Sequence, residues 1–381
     1  MNLKNCHGTQ PGLLLLLLFL SACQSPTISE TPAVTEVSPP VSESSLTLNN
    51  AILEQANPEG KTLWKIKSRE TKYSPDRQFA YLEEVIGNFW QDDQLAIYLT
   101  AEKGEVFEDG EVVILKENVI AKDVRNGTVL KADELTWYPR QNLLILTGNL
   151  AGQHPELNIK AKTAKYYGDQ QELELIGDVI ADNQENSVQF RSSELRWNLK
   201  AQTLSVKALL EIVRYDQAEV ITEKVVAEEL EVDLQLHQAK FKQNVKLTSW
   251  KPSVQITSNS IIWNYQEGTV IADQPVEIIH QEQELIIIAN RGYLDLDQEI
   301  AHLQGDVQGQ NQLKRSKLSA SELIWSINTQ EVEARENVIY EQVEPYIHLT
   351  GDRAVGTIQN NNIVVTGDRS GQVITEIQPP S

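Results

Sequence analysis

ADELTWYPRQNLLILTGNL, residues Ala132 to Leu150, and ASELIWSINTQEVEARENV, residues Ala320 to Val338, have the same length, with Ala, Glu, Leu and Trp at matching places. Used as a ruler along the chain, the phrase finds anchors at Ser68, Ala101, Ala132, Ala161, Ser192, Ala227, Ser258, Ala289, Ala320 and Gly351, most of them 31 residues apart. Five residues after the anchor stand Tyr73, Val106, Trp137, Tyr166, Trp197, Val232, Trp263, Leu294 and Trp325, and only Gly356 breaks the column. Further on, an acidic, amide or glycine pair ends in an apolar residue, as in Glu117-Asn118-Val119 and Gly148-Asn149-Leu150. The same closing position holds Val179, Val245, Val276, Val307 and Val338.

The tile has strand periodicity. Val254, Ile256 and Ser258 alternate with polar neighbours, and alternation resumes one residue out of phase at Ile261 and Trp263, which predicts a bulge or bend near the anchor. Polar tips such as YQEG, Tyr265 to Gly268, separate the runs, so each tile predicts two strands of about 8 residues joined by a hairpin, and ten tiles about 20 strands. The segment EKVVAEELEVDLQLHQAKF, Glu223 to Phe241, has helix-favouring composition. Its alternation of Leu230, Val232, Leu234 and Leu236 with polar residues nevertheless predicts strand. One tile buries too little apolar surface to offset the ordering of some 30 backbones, and so it must stack on neighbours that share its core.

The 381 residues hold 33 Lys and Arg against 54 Asp and Glu, a net charge of -21, which repels phosphate backbones and argues against a nucleic-acid partner. Residues 1–22 read as a lipoprotein-type signal peptide: Lys4, an apolar run Leu13 to Leu20, then Leu20-Ser21-Ala22-Cys23, in which Cys23 is the expected lipidation site. Residues 23–45, rich in Pro, Ser, Thr and Glu, read as a tether. With only Cys6 and Cys23, no disulfide or thiolate metal site is expected. The six histidines lack metal-ligand spacing, no phosphate loop or nucleophile motif occurs, and the carboxylates fall on the outward strand face. The expectation is a protein without catalytic residues, metal or cofactor. The aromatic column either fills a closed core or lines a slot for alkyl chains, with Val276 near its mouth; composition does not separate the two. A ligand-free structural scaffold and an outer-membrane β-barrel are the alternatives.

The strand LELIGDV, Leu173 to Val179, together with the small anchor and the aromatic five residues on, resembles the OstA-like repeat of lipopolysaccharide transport proteins over residues 60 to 370. LTLNNAILEQANPEGKTLWKIKSRETKY, Leu46 to Tyr73, looks like the start of the LptC family, with Gly60, Trp64 and Tyr73 in order. The resemblance implies an elongated, open antiparallel β-jellyroll, LptC-like over residues 46–219 and continued by OstA-like tiles over 220–375, with a tail at 376–381. It implies a non-enzymatic periplasmic carrier whose groove, lined by the aromatic column and the closing apolar residues, holds lipid A acyl chains. Its expected partners are lipopolysaccharide, an inner-membrane ABC transporter and an LptA-like bridge protein. Leu46, Leu48 and Ile52 at one sheet edge, and Ile363 and Val365 at the other, are the expected partner contacts. Family members are usually held by a transmembrane helix, whereas Cys23 suggests a lipid anchor in the membrane, the inner one expected.

Overall fold

The computed structural model describes residues 46–378, apart from 57–59, 92–93, 108–109, 125–126, 154–156, 184–186, 358–362 and 367–373. The signal segment 1–22, Cys23, the tether 23–45, His154, Asn126 and the end of the tail lie outside the described residues. Among those described there is no α-helix, only two short 3-10 turns. The chain divides into two compact units, the first running to Ala181 and including Arg196–Ala201, the second made of Asp182–Leu195 and residues from Gln202 onward.

The first unit holds β1 (Thr47–Ala56), β2 (Thr62–Tyr73), β3 (Phe79–Gln91), β4 (Gln94–Phe107), β5 (Val112–Asp123), β6 (Val129–Tyr138), β7 (Leu143–Gln153), β8 (Asn158–Tyr167) and most of β9 (Glu172–Asn183). After β10 (Val188–Asn198) the second unit holds β11 (Thr203–Val206), β12 (Leu210–Tyr215), β13 (Ile221–Ala227), β14 (Glu229–Asp233), β15 (Gln238–Trp250), β16 (Ser253–Asn264), β17 (Thr269–Ala272), β18 (Val276–His280), β19 (Leu285–Ala289), β20 (Arg291–Asp295), β21 (Ile300–Asn311), β22 (Ser316–Ser326), β23 (Glu331–Gln342), β24 (Tyr346–Thr357), β25 (Ile363–Thr366) and β26 (Ile374–Gln378). The 26 strands exceed the expected number because some passages, such as β13 with β14 and β17 with β18, are interrupted at mid-length. Uninterrupted strands reach 14 residues, longer than the expected 8, because the hydrogen-bond ladder carries on through the bend.

That bend is the tile's device. β15 pairs with β16 as Lys242↔Ser260 and then Val245↔Ser258, so Gln243 and Asn244 face the single Asn259. The two bulged residues have φ of 61° and 52°. Equivalent left-handed pairs occur at Glu117-Asn118, Gly148-Asn149, Gly177-Asp178, Gly305-Asp306 and Glu336-Asn337, the positions of the recurrent phrase. Asn and Gly tolerate this region best, which explains their recurrence there. The amide of Asn244 donates to Glu228 Oε1 at 2.8 Å, that of Asn149 to Asp133 Oδ2 at 2.8 Å, and that of Asn337 to Ser321 Oγ at 3.1 Å. Each donor lies 16 residues beyond the acceptor that follows its anchor, so the corner is closed by its own tile.

Inside the corner, the closing residue meets the next small anchor directly across the ladder: Val119 against Ala132, Leu150 against Ala161, Val245 against Ser258, Val276 against Ala289, and Val307 against Ala320. The anchors are small because two bending strands leave room for little more than a Cβ. Asn244→Ala should lower stability by about 1–2 kcal/mol through left-handed strain plus a lost hydrogen bond. Asn244→Gly, which keeps the conformation, should lose less; urea midpoints measure both.

Two sequence expectations need correction. In the segment from Glu223 the strand reading is right, but Leu234 and Leu236 do not continue it: the chain turns after Asp233, whose Oδ1 accepts the N–H groups of Gln235 and Leu236, both at 2.9 Å, and Leu236 is exposed. Val276, expected near a mouth, lies at the corner, 4% exposed between Ser258 and Ala289.

Candidate functional site

Bending every strand at its corner makes two facing walls in each unit, and the aromatic column runs along one of them. In the first unit it is a continuous cross-strand row: Tyr73, Ala80, Val106, Val113, Trp137, Leu144 and Tyr166, each directly opposite the next. In the second unit the row runs Leu204, Val232, Ala239, Trp263, Val270, Leu294, Ala301, Trp325, Val332, Gly356 and Ile363. The expected column is therefore one half of the row. The other half, Ala80, Val113, Leu144, Ala239, Val270, Ala301 and Val332, stands twelve residues after each anchor, a column that the same ruler marks.

Between the walls of the second unit lies a cavity of about 390 Å³. Trp263, Leu294 and Trp325 from the row line one side, Val254, Ile256 and Ile278 the other, and Val245 and Val276 its floor. A cavity of about 150 Å³ with aliphatic and aromatic walls already admits benzene, so this one has room for a longer apolar group. The first unit's cavity is about 100 Å³, lined by Trp137, Tyr166 and Leu150 among others. Phe89, which shares this lining, and Trp64 pack edge-on against Trp137, with ring centroids at 6.0 and 5.7 Å. Burial there pushes the Tyr166 hydroxyl above its ordinary pKa.

Of the other expected groove residues, Val119, Val179, Val307 and Val338 are buried in corners. Tyr73, Val106, Trp197 and Val232 are half-buried and line neither of these two cavities. A third cavity, about 130 Å³, includes Ile363 and Val332 in its lining. At the expected edges Leu46, Leu48 and Ile52 are exposed, β1 pairing with β2, while Ile363 and Val365 are half-buried and β25 pairs with β24. The outward faces carry cross-strand ion pairs such as Lys242–Glu231 at 2.6 Å and Lys116–Glu105 at 3.0 Å. Where the cavity of the second unit meets polar side chains, Arg214 pairs with Glu223 at 3.2 Å.

Among the described residues no group of three His, Cys, Asp or Glu side chains could hold a metal, and no helix is long and apolar enough to cross a membrane.

The pattern of the family described as "Lipopolysaccharide-assembly, LptC-related" matches residues 13–145 and, in a second copy, 128–246. None of the curated proteins compared with the chain matches it. Among solved structures, the crystal structure of LptH, the LptA-homologous periplasmic component of the lipopolysaccharide transport device of Pseudomonas aeruginosa, is similar over 28% of this chain and 79% of that one, at 15% identity and a TM-score of 0.24. With more than half its length matched by the family pattern, the chain belongs to the LptC-related lipopolysaccharide-assembly proteins, which are transport components and not enzymes.

Proposed function

We propose that the protein is a periplasmic carrier and bridge that takes lipopolysaccharide from the inner-membrane ABC transporter toward the outer membrane, holding the acyl chains between its walls. The observation that carries this reading is the 390 Å³ apolar cavity of the second unit, framed by Trp263 and Trp325. Acyl chains bury their methylenes there at about 0.8 kcal/mol each. The strongly acidic chain favours a grip on tails over a grip on phosphates. Cys23 carries the lipid that anchors the protein, the inner membrane being its site. Leu46, just before β1, and Leu48 and Ile52 within it meet the transporter by β-augmentation, and Ile363 and Val365 in β25 meet an LptA-like bridge protein.

Photo-crosslinking amino acids placed at Trp263 and Trp325, both on the cavity lining, should capture lipopolysaccharide in cells, and one at Glu231 on the outer face should not. Adducts confined to Glu231 would refute the carrier role. Absence of adducts at every inward position would favour the ligand-free scaffold.

A further inference from the structure

On the wall opposite the aromatic row, the outward face of the first unit is basic and apolar in a chain that carries a net charge of -21. Ile52, Lys67, Ile86, Thr100, Ile120 and Lys131 stand each directly opposite the next across six strands, and the row ends two strands further on at Lys160. Their neighbours along the strands point inward: Ile66, Val85, Leu99 and Val119 are at most 4% exposed. The row thus runs over the outer surface for seven strand steps, roughly 34 Å. A second row beside it sets Tyr98 directly opposite Lys122. Ile52, Ile86, Tyr98 and Ile120 are between 37% and 53% exposed.

The charges on this face are left open. Among the described residues, Lys67, Lys122, Lys131 and Lys160 are exposed and have no carboxylate at ion-pair distance, whereas elsewhere in the unit Lys103 and Lys116 hold Glu117 and Glu105 at 2.6 and 3.0 Å. From β1 to β8 the two rows contain one carboxylate, Glu54, and Lys65 takes it at 3.1 Å. Glu102 and Asp133 lie past the anchors, at the corner, where the amides of Asn118 and Asn149 donate to them. Carboxylates on the other faces are screened from it, because charge is felt over about 8 Å at physiological ionic strength. None of the eight exposed lysine, isoleucine and tyrosine residues lines any of the three cavities described above. A protein partner is fixed by pockets and matched polar pairs, whereas open lysines on flexible stems among exposed isoleucines suit a fluid anionic surface.

Resting on the reading that Cys23 carries a lipid, we propose that this face lies on an anionic phospholipid bilayer. The amines meet headgroup phosphates, and Ile52, Ile86, Ile120 and Tyr98 sink into the interface. Cys23 stands 24 residues before Thr47, the first residue of β1, a length that spans at most about 80 Å. The anchor therefore keeps the face within reach of the membrane that holds it. In this pose the ladder runs along the bilayer, which suits the chain before β1 joins the transporter.

The test uses the chain from Cys23 onward with Cys23→Ser, so that no acyl group contributes, and flotation with vesicles of phosphatidylglycerol and phosphatidylcholine or of phosphatidylcholine alone. The mixed vesicles should bind it at least roughly tenfold more tightly, and less so as salt rises. Lys67→Gln combined with Lys131→Gln should weaken that binding roughly tenfold. Both positions are exposed and unpaired among the described residues, so the fold is spared. Lys72→Gln combined with Lys103→Gln removes the same charge from ion-paired positions off this face and should change binding by less than about twofold. Equal binding to the two kinds of vesicle, no binding to either, or equal loss in the two double variants overturns the proposal. In cells a photo-crosslinker at Ile86 should capture phospholipid, and capture of an acidic protein alone overturns the bilayer assignment. No lipopolysaccharide enters the vesicle assay, so these failures leave the carrier reading standing. Absence of palmitate labelling at Cys23 overturns the anchor and not the face, which the vesicles judge.

Discussion

Val307→Asp is expected to lower the unfolding free energy by more than about 4 kcal/mol, an effect reserved for buried charges and large core voids. Val307 is 1% exposed, directly opposite Ala320, and packs in the cluster of Val276, Leu303, Leu323 and Trp325. A carboxylate set among these apolar side chains must lose its hydration or take up a proton, and either is unfavourable. Val307→Ala removes methyl groups without adding charge and should cost only about 2 kcal/mol. Urea titration followed by far-UV circular dichroism separates the two. If the aspartate variant unfolds within about 1 kcal/mol of the parent, the corner is open to water and the account of the tile given above is wrong.

The second large effect concerns loading. Ala301 stands between Leu294 and Trp325 in the row and lines the larger cavity, 7% exposed. Ala301→Trp sends an indole into about 390 Å³ of space, where it competes with an acyl chain while finding apolar surroundings for itself. Capture of lipopolysaccharide by a crosslinker at Trp263 should fall at least roughly tenfold, equivalent to about 1.4 kcal/mol of lost binding. The thermal midpoint should hold, because filling a void offsets the strain of a larger side chain. Ala301→Leu, which fills less, should give an intermediate loss. Undiminished capture by the tryptophan variant would place the lipid elsewhere.

The tile was legible because side-chain periodicity and corner chemistry both leave marks in sequence. Trp137, Trp263 and Trp325 recur at one offset because a cross-strand row requires it, and the phrases ending in Val119, Val245 and Val338 recur because the corner needs two residues that accept positive φ. The partner column at Val113, Val270 and Ala301 was equally periodic, but its members vary from Ala to Leu and no rare residue type draws the eye to it. Val276 lies at the corner and not near a mouth because of its pairing register, set by Ser258 and Ala289, 18 and 13 residues away in the chain. Leu234 and Leu236 continued an apolar alternation past the point where Asp233 caps a turn, a local hydrogen bond that outcompetes period.

The amide that ties the corners at Asn149, Asn244 and Asn337 to the residue after their own anchors has a consequence for how such a chain can grow. Because the tie closes within one module, duplication of about 31 codons adds two more ladder rungs in the same frame, roughly 10 Å of extra reach, without disturbing what lies before or after. A gap of any width can then be matched by counting modules, in the way that a mason sets the height of a wall by its courses.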